Sequence, residues 1–308
     1  MAEDGSAYLN RTLEGRLFKA RYTPVAVLPG SAAFLYRADV RTMAGLTAPP
    51  HILSQQVVVK VLRQPGAAEG GPRDEAEYTC HTLAAPRSPY VAPVRNWGYT
   101  DDRLRTRFLV LDLLAGGTLD SALRRSSWPL TARLVAFDRL LAALRSLHNA
   151  TIVHGDLKLT NIGLARGRDI RSIRIIDFGL AQMMAPDTPL LPAPGTPGMR
   201  APEQAGVVHS AIGPPTDVFA LAYAAVALLW GRNYAYRLGS DVEAGRLHFR
   251  PPTLDEGVRE RLRASLRLSP SMPRLLALVQ DMLALRPEDR PTAAEIQRTF
   301  HAICGSFF

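Results

Sequence analysis

A chain of 308 residues with 47% hydrophobic content can bury a substantial core in one large domain or two lobes, which excludes a mainly disordered protein. The longest apolar run, Val218 to Trp230, is shorter than the roughly 20 residues a membrane span needs, and the start Met-Ala-Glu-Asp-Gly is acidic where a secretory leader is basic. The formal charge of +9 is scattered, with no basic blocks and no interleaved aromatics, so a solvated surface is expected and a nucleic-acid interface is not. Two cysteines, Cys80 and Cys304, give no disulfide framework and no thiolate metal spacing, which fits a reducing compartment. A soluble intracellular protein with no membrane association is expected. Of the 37 basic residues only Lys19, Lys60 and Lys158 are lysine. Arg and Lys are not interchangeable at a phosphate site, so lysines kept against so strong an arginine bias mark positions of interest.

Residues 1–17 show no clear period and read as a tail. From Arg21 the pattern is strand-like over Tyr22 to Leu28 and again over Phe34 to Ala38. The small-residue turn Pro29-Gly30-Ser31 joins the two as a hairpin. Residues 40–55 form a Pro- and Ala-rich connection. Val57-Val58-Val59-Lys60-Val61-Leu62 is the β-branched run of a buried strand, and a lysine within it needs an anionic partner. After a glycine-rich break at 66–72, a helix over Arg73 to Leu83 offers Glu75 and Glu77, which two residues apart face different sides. Val94 to Tyr99 and Arg107 to Leu111 complete a five-stranded sheet. Strand character stops at Asp112-Leu113-Leu114-Ala115-Gly116-Gly117, a linker between a small lobe and a larger helical one.

Leu130 to Asn149 carries Leu134, Phe137, Leu141, Leu144 and His148 at helical spacing. Next comes Ile152-Val-His154-Gly155-Asp156-Leu-Lys158-Leu-Thr-Asn161, and then the apolar run Ile173 to Ile176 leads into Asp177-Phe178-Gly179. Each apolar run delivers a carboxylate into the loop at its end, with one cation and one amide between them. That set can handle a proton, a phosphate and a divalent metal. Phosphoryl transfer asks a protein mainly for positioning and charge neutralisation, and a hard metal such as Mg2+ takes a carboxylate and a neutral oxygen. Downstream lie Gly195-Thr196-Pro197-Gly198-Met199-Arg200-Ala201-Pro202-Glu203 and a helix apolar on all faces that opens at Asp217. A helix over Leu275 to Leu285, a turn through Arg290 and the capping box Thr292-Ala-Ala-Glu295 follow.

In this order and spacing, these motifs resemble those of the eukaryotic-type Ser/Thr protein kinases over roughly residues 20 to 304. The resemblance implies an α+β, two-lobed protein-kinase-like fold: a small five-stranded antiparallel sheet plus one helix, and a larger mainly helical lobe. Residues 1–17 would be a tail, 18–111 the nucleotide-binding lobe and 112–308 the catalytic lobe, with a ligand cleft between the lobes. It implies ATP and Mg2+ as cofactors and Ser/Thr-bearing proteins as substrates. Asp156 would be the catalytic base, Lys158 the cation on the travelling phosphoryl group, and Asn161 and Asp177 the metal ligands. Lys60 would meet the α/β-phosphates and a helix glutamate, with the spacing to Ser88-Pro89 favouring Glu77 over Glu75. Leu28, Gly30, Ser31, Leu35 and Val58 would surround the nucleotide. Leu111 would guard the back of the adenine pocket, with the backbone of Asp112 and Leu114 against adenine. Thr196 would mark docking of Ser/Thr acceptors, and Glu203, Arg290 and Asp217 would be structural.

The chain departs from that pattern in four places. Only the middle of three loop glycines remains, the aligned positions being Leu28, Gly30 and Ala33. Gly155 stands where regulated kinases carry an Arg that binds a phosphorylated activation loop, and Leu180 to Gly195 holds a single hydroxyl, Thr188, before Thr196. Together these point to activity without activation-loop phosphorylation. Gly163 and Val58 alter the floor and roof of the adenine pocket. Thr160, before Asn161, removes an acid that basophilic members carry. Two alternatives remain: a pseudokinase-type binding scaffold, and a small-molecule phosphotransferase of the aminoglycoside- or choline-kinase type.

Overall fold

Alternating burial along short strands builds the sheet of the first of two units, Met1–Leu114 and Ala115–Phe308. The structure is a computed structural model describing residues 6–16, 20–28, 34–41, 56–62, 72–101, 105–186, 190–191, 193–233, 235 and 272–305. In the first unit, β1 (Leu13–Glu14), β2 (Arg21–Leu28), β3 (Phe34–Arg41), β4 (Gln56–Val61), β5 (Val94–Tyr99) and β6 (Arg107–Asp112) form an antiparallel sheet in the order β1-β2-β3-β4-β6-β5. Tyr22, Tyr36, Val57, Val59, Val61, Phe108 and Val110 point to one core. Leu62, Leu109 and Leu111 point to a second, closed by Tyr78 of α1 (Pro72–Ala84) and by Trp97.

The expected tail is part of this sheet. Leu13 and Glu14 pair with Tyr22 and Arg21, and Tyr8 and Leu13 lie buried in the first core, Tyr8 edge-on to Phe34 and Tyr36. A two-residue strand is too short to show a period, so the apolar anchors Tyr8 and Leu13 were the only trace of it. The five expected strands are therefore joined by a sixth. Asp112 still pairs with Val57 in the sheet, and the division between units falls after Leu114, three residues later than expected.

The second unit is mainly helical: α2 (Leu119–Arg125), α3 (Leu130–Asn149), α4 (Pro214–Leu229), α5 (Met272–Met282) and α6 (Ala293–Cys304). Residues 216–229 of α4 are all buried, as an all-round apolar helix must be. It packs on α3 and α5, while α6 packs on α3 with Phe300 edge-on to Phe137 at 5.1 Å. The Thr292–Glu295 capping box starts α6, each residue satisfying the other's backbone N–H. Two two-stranded antiparallel sheets complete the unit: β7 (Ile152–Val153) with β10 (Gln182–Met183), and, between them in the chain, β8 (Ile162–Leu164) with β9 (Ile173–Ile175). Among the described residues, no helix is long and apolar enough to cross a membrane.

Candidate active site

In the first unit, the sheet register places five of the expected nucleotide residues, Leu28, Leu35, Val58, Lys60 and Leu111, on one face. Leu28 lies opposite Leu35, Leu35 opposite Lys60, and Val58 opposite Leu111. Residues directly opposite share a face, as do residues two apart on a strand such as Val58 and Lys60. Gly30, Ser31 and Ala33 lie outside the described residues. Lys60 and Glu77 form a buried ion pair, with side chains 3% and 7% exposed. Glu75 faces away and binds Arg107 at 2.6 Å, so the two helix glutamates divide as their spacing requires. At the end of β6, Arg95 holds both carboxylate oxygens of Asp112 at 2.7 Å, fixing the residue at which the strand stops. Leu111 is buried and Leu114 half-buried.

In the second unit the loop after β7 closes on itself through Asp156. Its Oδ1 accepts from the Thr196 hydroxyl at 2.7 Å, and its Oδ2 accepts from Lys158 Nζ at 2.6 Å and Asn161 Nδ2 at 3.3 Å. Lys158 Nζ also donates to Thr196 Oγ1 at 2.6 Å. A carboxylate, an ammonium and a hydroxyl thus form a triangle. Asn161 Nδ2 donates further to the Asp156 carbonyl at 2.9 Å, which commits the amide nitrogen and leaves Oδ1 without a hydrogen bond among the described residues. Pairing of β8 with β9 brings Ile176 N to within 3.0 Å of the Asn161 carbonyl, so the backbone delivers Asp177 one residue beyond that bond. Asp177 Oδ1 accepts from Gly179 N at 3.0 Å, and the buried Phe178 ring lies 5.3 Å from that of His154. An amide oxygen and a carboxylate at adjoining strand ends are a donor set that suits a hard divalent cation.

This loop is anchored from beneath. Asp217 accepts from the backbone N–H of His154 and of Gly155 at 2.8 Å each, and faces His148 Nε2 at 3.0 Å. His148, expected as one more position on the apolar stripe of α3, is thereby a polar tie. Glu203 and Arg290 form a bidentate pair at 2.8 Å with both side chains fully buried; Arg290 also donates to the carbonyls of Ala284, Leu285 and Pro215. Such a pair tolerates burial because the remaining donors are satisfied.

Two amides stand out that the sequence reading passed over. Gln204 Nε2 donates to Gly155 O at 2.7 Å and Ala193 O at 3.0 Å, while its Oε1 accepts from Ala201 N. Gln182 clasps the backbone of Leu191 in both directions, at 2.9 and 2.6 Å. Gly155 has φ +73°, and a Cβ there would meet Leu180 O at 2.9 Å. No side chain fits position 155 in this backbone without strain. The signal available in the sequence was that glycine, together with a glutamine directly after Ala-Pro-Glu.

The fold and these loops define a class in which a small sheet unit and a helical unit serve phosphoryl transfer, and the chain belongs to the protein kinase domain family, which it matches over residues 52–301. Serine/threonine-protein kinase pkn3 of Myxococcus xanthus is 31% identical over 258 residues, 79% of this chain and 44% of the relative. Serine/threonine-protein kinase PknA of Mycobacterium tuberculosis is 29% identical over 231 residues, 71% of this chain and 52% of the relative. A probable serine/threonine-protein kinase 2 of Plasmodium falciparum is 36% identical over 126 residues, 40% of this chain and 24% of the relative. The chain therefore spans about half or less of the length of these relatives.

Proposed function

We propose that this chain transfers the γ-phosphoryl group of ATP to Ser and Thr hydroxyls of protein substrates. The observation that carries the reading is the Thr196 hydroxyl, which donates to Asp156 while accepting from Lys158. The same carboxylate can take the proton of an incoming acceptor hydroxyl, and the same ammonium can neutralise charge on the group in flight. On this reading Lys60, fixed by Glu77, contacts the α/β-phosphates, and Leu28, Gly30, Ser31, Leu35, Val58 and Leu111 surround the nucleotide, with adenine against the backbone of Asp112 and Leu114. Asn161 and Asp177 would hold Mg2+, which supplies charge neutralisation at the phosphates. The free, buried thiols Cys80 and Cys304 suit the reducing intracellular setting in which ATP is found. The test incubates the chain with Mg-ATP and a mixed peptide library and analyses the phosphoamino acids. Label on Ser or Thr that Asp156→Asn and Lys60→Met both abolish is expected; label on small alcohols only, or none, overturns the proposal.

The activity needs no phosphate on the segment after Asp177. Supporting this, Gly155 replaces the phosphate-binding cation, and Gln204 and Gln182 tie the segment by amide hydrogen bonds instead. Thr188 lies outside the described residues. Thr188→Ala and phosphatase-treated protein are expected to keep full turnover, and loss in either would end this part of the reading.

A further inference from the structure

The second unit carries a basic surface that the chemistry above does not use. Gly116 approaches the loop between β8 and β9 so closely that a Cβ there would meet the Gly167 carbonyl at 2.1 Å. The Arg125 guanidinium, on α2, donates to the Gly116 carbonyl at 3.2 Å, and Arg166 and Arg168 flank the Gly167 that Gly116 approaches, so the three residues share one region of the surface. All three arginines are exposed, and none has a carboxylate partner among the described residues. Nearby cations differ: Arg124 is paired to Asp120 and Arg171 to Asp169, at 2.9 Å each. Asp169 is held below the usual carboxylate range chiefly by Arg171, with Arg139 adding to it, so the acid within the patch is already spent on its own neighbours.

The loop is built to hold its shape. Ala165 N donates to Ser172 O at 2.9 Å, Arg166 N to Ser172 Oγ at 2.9 Å, and Asp169 N to Arg166 O at 2.9 Å. Trp128 braces it from outside, its indole N–H donating to the Arg168 carbonyl at 2.9 Å. A pre-ordered loop presents its guanidinium groups without the ordering entropy a free loop would lose on binding. Guanidinium forks with no carboxylate of their own match carboxylates on another chain.

We propose that Arg125, Arg166 and Arg168 dock an acidic segment of the protein substrate, a role that rests on the phosphotransfer to proteins proposed above. The surface favours a polypeptide over a nucleic acid. Its three cations sit at one short loop, two of them flanking Gly167, and Trp128 beside them is half-buried and engaged through its N–H rather than free to stack on bases. A docking segment joined to the acceptor site raises the effective concentration of the acceptor, so the benefit falls on KM.

The test has a binding arm and a turnover arm. Fluorescence anisotropy follows a labelled Glu/Asp-rich peptide on the full chain and on the variant Arg125→Glu/Arg166→Glu/Arg168→Glu, with melting curves confirming that both fold. Binding is expected to weaken by about tenfold or more in the variant and to weaken with salt in the parent. Arg125→Gln/Arg168→Gln, which removes charge without reversing it, is expected to fall between. In turnover, an acidic extension on an acceptor peptide is expected to lower KM for the parent and not for the variant, with kcat on the unextended acceptor unchanged. Equal peptide binding by parent and variant overturns the proposal, as does a polyuridine strand that binds more tightly than the peptide and is lost in the same variant. Because the anisotropy arm needs no turnover, a chain that binds the peptide yet phosphorylates nothing sinks the phosphotransfer reading instead.

Discussion

Asp217 and Asp156 serve one loop of the second unit and are held in opposite ways. Asp217 is fully buried and accepts from two backbone N–H groups, with His148 beside it. Asp156 keeps 15% of its side chain exposed and accepts only from side chains: Thr196, Lys158 and Asn161. A backbone donor cannot withdraw unless the loop unfolds, whereas a hydroxyl or an ammonium can leave by a rotamer change. The catalytic base proposed above, which would accept a new hydroxyl in every cycle, needs the second arrangement, and a carboxylate that fixes the loop needs the first. Glu203 also accepts from side chains, Arg290 and Thr216, but these are buried with it and so are held in place by packing where Thr196 and Lys158 at Asp156 are not.

The largest effect that could break this contrast is on turnover. Asp156→Asn keeps the shape but cannot take a proton, so kcat is expected to fall by about 10³- to 10⁴-fold, on the order of 4–5.5 kcal/mol. The melting temperature should stay nearly unchanged, because Asn keeps an acceptor oxygen and the two shortest contacts of Asp156, Thr196 and Lys158, are side chains that keep contact with solvent. A large drop in stability would show that Asp156 is an anchor after all. Asp217→Ala should do the reverse, leaving two buried N–H groups unpaired and lowering stability by about 3 kcal/mol in denaturant titrations. Loss of activity would follow from a loosened loop, and Asp217→Asn, with one acceptor oxygen, should fall between.

Gly155 sharpens the contrast, since its N–H feeds Asp217 and its carbonyl feeds Gln204. Gly155→Ala puts a Cβ where φ is +73° and Leu180 O would lie 2.9 Å away, so a stability loss of about 2 kcal/mol is expected. Gln204→Ala leaves that strain absent but frees the segment at Ala193. It should lower turnover more than stability, and the reverse order would show that Gln204 is only a packing group.

Much of this was legible because the chemistry constrains both residue type and spacing. Lys60 in a β-branched run demanded a buried anion, and the two-residue offset of Glu75 and Glu77 on a helix allowed only one of them to reach it. Glu203 and Arg290 lie far apart in the chain and came from the family's pattern alone. The strand around Leu13 was not legible, because pairing with Tyr22 depends on a partner that gives no local sign. Gln182 and Gln204 were missed for a similar reason: an uncharged amide has no obligatory partner, so nothing in its neighbours announces the hydrogen bonds it will make.

The smallest effect concerns a buried acid of another kind. Burial pushes the Cys80 thiol up to about 12, with Glu77 adding to it, and pushes Cys304 up to about 11. Neither value reflects a partner that exchanges; both reflect the low polarity around the sulfur. The folded chain therefore holds these protons more tightly than the unfolded chain, whose thiols titrate near 9.0. The stability this contributes is complete below that value and is lost as pH rises toward the folded values. For Cys80 the loss is up to about 1.4 kcal/mol per pH unit above the unfolded value. Denaturant titrations from neutral to alkaline pH should show a steeper decline for the parent than for Cys80→Ala, and alkylating reagents should label Cys80 only on unfolding. Rapid labelling of the native chain near neutral pH would mean that the face of α1 carrying Glu77 opens to solvent, and Lys60 with its partner would then belong with Asp156 among the exchangeable groups.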